Sequence, residues 1–412
     1  MIHPDTAPAS DTTPATGAAT ETGTACLMQT YARLPVAFVR GRGMQLQDEA
    51  GIDYLDAISG VAVTGLGHAH PEITAAIAGQ AAELLHTSNL FRIPWQEELG
   101  RRLCALSGMT RAFFCNSGAE ANEAALKLAR LHAAAMRVAA PQVVVMEGAF
   151  HGRTLATLAA TGNPAVQRGF EPLMPGFLRV PYDDIDAVRR LADEQPGIVA
   201  VLLEPVQGEG GVHPASPGYL RALRALADRH GWLLMIDEVQ TGMGRTGTWF
   251  GHQHAGVAPD VITLAKGLGN GVAIGACLAR GPAAALFSPG HHASTFGGNP
   301  LACRVGCTVI DVMTRDRLPE RAAMLGARLL AGLRGALAGH PRVVAIRGIG
   351  LMAGIELDRP CGDLVGRALL EERLLITVTR ANTIRLLPPL IAGTAEIDEV
   401  VTRLARLLAT LD

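Results

Sequence analysis

Only two of the 36 basic residues in this 412-residue chain are lysines, Lys127 and Lys266; the others are arginines. A guanidinium stays protonated and is a poor nucleophile. An ε-amine, once desolvated, can lose its proton and attack a carbonyl. Lys266 ends the apolar run Asp260-Val261-Ile262-Thr263-Leu264-Ala265 and opens into the glycine-rich turn Gly267-Leu268-Gly269-Asn270-Gly271. A lysine kept at the mouth of an apolar strand points to imine chemistry. The plainer alternative is a surface lysine, and Lys127, inside a helical pattern, fits that description.

Two further stretches bear on the same chemistry. Asn116-Ser117-Gly118-Ala119 sits where a short strand turns into a helix. The free N–H groups and dipole of a helix start can seat a phosphate, and Ser117 could equally be an ordinary N-cap. Asp237 ends the apolar run Trp232–Ile236, where a charge is costly unless paired. Such an acid could keep a heterocyclic nitrogen protonated, or it could pair with an arginine. A phosphate seat, a buried acid and an imine-competent lysine together match one small molecule, pyridoxal phosphate.

The elements that must position these residues read as alternating strands and helices. Ala112–Cys115, Val143–Met146, Ile198–Leu203, Trp232–Ile236, Val261–Leu264 and Ala273–Leu278 are strand candidates. Helices are expected over Ala121–Ala135 and Gly218–His230, the second closed by Gly231. Continuous apolar strands between helices predict an α/β fold, with a mostly parallel sheet covered on both faces. Ligands bind such sheets beyond the carboxyl ends of the strands, where Ser117, Arg153, Glu204, Asp237 and Lys266 all fall. The expected organisation is a disordered tail over 1–25 and a segment 26–70 joining a small domain. A large cofactor-binding domain covers 71–300, and a small α+β domain 301–412. A hairpin is expected over Gly43–Asp56.

Bulk properties exclude other classes. A net charge of −2 and a pI near 6.7 give no reason to expect nucleic acid or an anionic membrane, and no run approaches the ~20 apolar residues of a membrane span. Seven scattered cysteines without a Cys-x-x-Cys suggest a reducing cytoplasm rather than a disulfide or zinc framework. His68 and His70 lack carboxylates at a ligand spacing, so no metal is expected. Gly348-Ile349-Gly350-Leu351-Met352-Ala353 formally fits a dinucleotide pattern, but the residues after it alternate like a strand, which predicts a tight hairpin.

From about Leu34 onward the chain resembles the class III pyridoxal-phosphate aminotransferases, most closely the acetylornithine aminotransferases. Seven ordered blocks carry the resemblance: Gly67–Pro71, Phe114–Glu123, Phe150–Thr154, Glu204–Gly211, Asp237–Gly242, Leu264–Gly267 and Ser294–Pro300. It implies the type I fold of pyridoxal-phosphate-dependent transferases and a set of roles. Lys266 would form the imine with the cofactor and shuttle a proton. Asp237 would pair with the ring nitrogen, and Gln240 would bond the ring hydroxyl. Val239 would lie beneath the ring, Phe150 would stack above it, and Glu238 would belong to the same cofactor-binding block. Ser117, Gly118 and Ala119 would hold the phosphate, reached also by Thr295 from the partner of a homodimer. Arg153, with Ser294 nearby, would bind the substrate α-carboxylate. Glu204 and Arg385 would form a gated pair that frees Arg385 for the keto acid. The implied reaction moves the terminal amine of N2-acetyl-L-ornithine to 2-oxoglutarate by a ping-pong course, a step of arginine biosynthesis. Succinylornithine, succinyl-diaminopimelate, 4-aminobutyrate and ornithine are the alternative donors. Relatives that accept free ornithine carry an aromatic residue where this chain has Val61, which leans toward an acylated donor.

Overall fold

The computed structural model describes residues 26–411, so the expected tail over 1–25 lies outside the described residues. The central sheet has seven strands: β1 (Arg111–Cys115), β2 (Gln142–Met146), β3 (Phe177–Val180), β4 (Ile198–Leu203), β5 (Leu233–Asp237), β6 (Val261–Leu264) and β7 (Gly275–Ala279). Their order is β1-β7-β6-β5-β4-β2-β3. β7 runs antiparallel to both neighbours, and the rest run parallel. Every residue of β4, β5 and β6 is buried, as a sheet covered on both faces requires. β3 escapes sequence reading because it is a short edge strand in which only Val180 is fully buried.

Helix α1 (Gly118–Ala135) crosses the sheet on a face of small residues, including Ala121, Ala124, Ala125 and Ala129, which lets it approach closely. The helix Pro217–His230 starts at a Ser216 cap and stops at Gly231, whose φ of 70° is the left-handed conformation that glycine tolerates best.

Two smaller sheets complete the architecture. The expected hairpin forms from Gln45–Asp48 and Asp53–Asp56, and Leu374–Leu375 pairs parallel to its second strand. Val343–Ile349 and Met352–Leu357 form the hairpin expected at Gly350, followed in the sheet by Thr383–Leu386 and Thr377–Thr379. Arg245, 2% exposed, donates to the Leu351 and Pro388 carbonyls. Burial lowers its pKa to about 9. Among the described residues no helix is long and apolar enough to cross a membrane.

Candidate active site

Parallel strands end on one edge of a sheet, so the loops after β1, β2, β4, β5 and β6 converge. They line a cavity of about 410 Å³ that gathers Ser117, Gly118, Ala119, Phe150, Arg153, Glu204, Asp237, Val239, Gln240 and Lys266. The register explains part of this: Asp237 on β5 lies opposite Thr263 on β6, three residues before Lys266.

Asp237, 4% exposed, has no arginine partner among the described residues. Its Oδ2 accepts from Asn122 Nδ2 at 2.7 Å and lies 2.8 Å from His151 Nδ1; its Oδ1 accepts from the Val239 N–H at 3.0 Å. Asn122 is oriented in turn by the Thr263 hydroxyl, which donates to its Oδ1 at 2.7 Å. Hydrogen bonds to the charged form compensate a buried carboxylate. Asn122 and His151 were missed as functional residues, although both lie inside recognisable blocks. Their signal is positional: Asn122 comes one helical turn after Gly118, on the face α1 turns to the sheet.

Ser117 is an N-cap, its hydroxyl accepting from Glu120 N–H at 3.2 Å. That role leaves the anion seat intact, because the Gly118 and Ala119 N–H groups precede the first intrahelical bond, Ala121 to Ser117. A Cβ on Gly118 would lie 2.7 Å from a Val239 methyl, so only glycine lets the helix start pack on that side chain.

Lys266 is half-buried and begins a short 3-10 turn at φ 41°, a left-handed conformation strained for a residue with a side chain. Burial lowers the pKa of its amine, and the Arg385 guanidinium lowers it further against Glu209, Asp237 and Glu204. Both effects favour the neutral, nucleophilic amine.

Four expected site residues stand elsewhere. Glu238 is 1% exposed and takes no part in the cavity wall; its carboxylate accepts from Thr241, Gly251 N–H and His252 N–H and contacts the His252 ring. Burial would raise its pKa, but those bonds hold it below the usual value. Alternation along the chain sends it away from the side Asp237 faces. Arg385 is 2% exposed, and its expected partner is corrected: Nη1 donates to Glu209 Oε1 at 2.5 Å, not to Glu204. Glu204 instead accepts from the Phe150 and Gly208 N–H groups at 3.0 and 3.1 Å. Gln240 Oε1 also accepts from Arg385, at 3.3 Å. Ser294 and Thr295 line a neighbouring cavity of about 550 Å³. Asn116 lines both cavities and donates to Ser294 Oγ at 3.3 Å.

Three other expectations are settled locally. Lys127 is exposed but engaged, donating to the His291 carbonyl at 2.7 Å. Val61, at φ 66°, packs beside Val206, Val212 and Leu387, and it is Val63 that lines the Lys266 cavity. His68 lies 2.7 Å from Asp56, a contact that secures the hairpin to its following loop.

The residues present fit pyridoxal phosphate. Free N–H groups at a helix start suit its phosphate, an arginine-free buried acid suits its ring nitrogen, and Val239 and Phe150 offer apolar walls. The class-III aminotransferase family model matches residues 27–408. The acetylornithine aminotransferase of Nitrosomonas europaea is 54% identical over 93% of this chain and 97% of its own length. The ornithine aminotransferase of Toxoplasma gondii, whose crystal structure shows partial occupancy of PLP, superposes with a TM-score of 0.90. It shares 35% identity and covers 93% of this chain and 92% of its own. The acetylornithine aminotransferase of Elizabethkingia anophelis gives 0.84 at 33% identity, covering 94% and 97%.

Proposed function

The chain belongs to the class-III aminotransferases, and on that premise we propose how it works and on what. It transfers the terminal amino group of N2-acetyl-L-ornithine to 2-oxoglutarate, giving N-acetyl-L-glutamate 5-semialdehyde and L-glutamate. The observation that carries this is the convergence of Lys266, Asp237 and the Ser117–Ala119 helix start on one cavity, in a chain 54% identical to an acetylornithine aminotransferase.

Pyridoxal phosphate, when bound, supplies a carbonyl for the amine and a ring that delocalises electrons released at the neighbouring carbon. The protein's residues do the rest. Lys266, with its ammonium form disfavoured by burial, holds and moves the proton at Nζ. Asp237, oriented by Asn122 and His151, would keep the ring nitrogen protonated. Gly118 and Ala119 would hold the phosphate through their N–H groups. Arg153 would take the α-carboxylate. Glu209, holding Arg385, is the gate: it occupies the guanidinium while the donor is bound and yields it to a carboxylate of 2-oxoglutarate, whose planar face a guanidinium matches. The two substrates use the site in turn, so kinetics should be ping-pong.

A homodimer belongs to this reading, with Thr295 of the partner subunit reaching the phosphate. In its own chain Thr295 lines the neighbouring cavity, beside Phe296, which is 63% exposed. Asn89 holds the Ser294 and Gly297 carbonyls, and the exposed Leu90 and Phe91 follow it. Residues 26–70 are proposed to join 301–412 in one small domain, supported by the pairing of Leu374–Leu375 with Leu55–Asp56. A cytoplasmic location is proposed from kinship with these biosynthetic enzymes.

The decisive experiment is a donor panel with 2-oxoglutarate: N-acetylornithine, N-succinylornithine, N-succinyl-diaminopimelate, ornithine and 4-aminobutyrate. N-acetylornithine should give the highest kcat/KM. Preference for ornithine or 4-aminobutyrate would overturn the assignment.

A further inference from the structure

We propose that Glu204 is a positioning residue that sets the spacing between the turn carrying Arg153 and the turn carrying Glu209, and thereby tunes recognition of the dicarboxylate acceptor. The inference rests on the reading above, in which 2-oxoglutarate engages both Arg153 and Arg385.

Glu204 directly follows β4 and is 5% exposed. Among the described residues it forms no ion pair with an arginine or lysine. Instead each carboxylate oxygen holds one backbone N–H. Oε1 accepts from Phe150, three residues before Arg153, whose guanidinium lies 5.6 Å from the Phe150 ring centroid. Oε2 accepts from Gly208, the residue before Glu209. A Cβ on Gly208 would lie 2.2 Å from Gln240 Oε1, so this turn is pressed against the side chain that also contacts Arg385. The bases of the two turns are braced separately by Gln207 Nε2 donating to the Glu147 carbonyl at 2.8 Å. Losing the Glu204 clamp therefore alters the spacing of the turns without unfolding them.

Only a carboxylate presents a strong acceptor to both N–H groups. An amide turns a donor toward one of them, and a protonated acid leaves one N–H facing a hydroxyl oxygen, a weaker acceptor. A substrate with one carboxylate aligns against one turn, whereas a dicarboxylate must align against both. The groups facing Glu204 are His151, Asp237, Lys266 and the Tyr182 hydroxyl, which donates to the Glu204 carbonyl. Burial raises the Glu204 pKa to about 7, with Asp237 adding to the rise and His151 opposing it. The two-sided clamp is therefore strongest with the carboxylate ionised and weakens as the pH falls through about 7.

The test compares the wild-type holoenzyme with Glu204→Gln. The KM for 2-oxoglutarate should rise about tenfold while that for the acylated donor changes less than threefold, and the cofactor absorption band should persist. In the wild type, kcat/KM for 2-oxoglutarate should fall below pH ~7 more steeply than that for the donor; the variant should lose this difference. An unchanged 2-oxoglutarate KM, or an equal rise for both substrates, overturns the proposal. Should the variant fold poorly, the wild-type comparison decides alone, and parallel profiles for the two substrates sink the idea. Arg385→Lys is the control. If it leaves the 2-oxoglutarate KM unchanged, the acceptor reading itself is wrong; if it raises that KM and Glu204→Gln does not, only the clamp is wrong.

Discussion

The Lys266 cavity and its neighbour share Asn116 and are closed in opposite ways. Around Lys266 the buried polar groups are answered from within the chain: Asp237 by Asn122 and His151, Arg385 by Glu209, Glu204 by two N–H groups. Around Thr295 the wall includes the exposed Phe296 and Lys127. The first region is preorganised for charge. The second presents a mixed apolar and polar surface.

Lys266→Ala tests the self-contained side most severely. Turnover should fall by roughly 10³-fold or more, with loss of the imine absorption band; an unaltered spectrum would falsify the lysine assignment. Mixed dimers of Lys266→Ala and Thr295→Ala chains then test the shared side. If Thr295 acts across the interface, one site of each such dimer is wholly wild-type and half the activity returns. If it acts within its own chain, neither site is intact and the surviving activity needs the higher cofactor concentration of Thr295→Ala. Arg385→Lys should raise the KM for 2-oxoglutarate by about tenfold or more through loss of the two-pronged contact, measured by steady-state kinetics at fixed donor. Thr295→Ala alone should weaken cofactor binding by about tenfold, the loss expected for one hydrogen bond to a charged group. Lys127→Arg is the mildest. Stability should shift by no more than about 0.5 kcal/mol in thermal denaturation, since the bond to the His291 carbonyl is exposed and an arginine can also donate there. A large loss would show that the neighbouring cavity depends on an amine as well.

Much of this was legible from residue order. The boundaries of β4 and β6 match the apolar runs residue for residue, because a fully buried strand leaves an unbroken apolar signature. β3 was illegible because a half-exposed edge strand leaves none. Within the site, Lys266, Asp237 and the helix start announced themselves by type and by their place at strand ends. Glu204 and Glu209 did not separate: both are acids of one glycine-rich block, and side-chain type says nothing about which one faces a guanidinium. Glu238 carries the same lesson, since adjacency to Asp237 places it on the opposite side of the backbone.

What could be known before folding was the kind of chemistry and the edge of the sheet that hosts it, because burial cost and strand patterning are local properties of the chain. Which acid holds Arg385, which groups orient Asp237, and which residues stand outside the Lys266 cavity were decided by contacts between segments far apart in the chain, Glu209 with Arg385 and Asn122 with Asp237 among them. Such pairings depend on the directions side chains take once the strands are packed, and local order does not encode those directions.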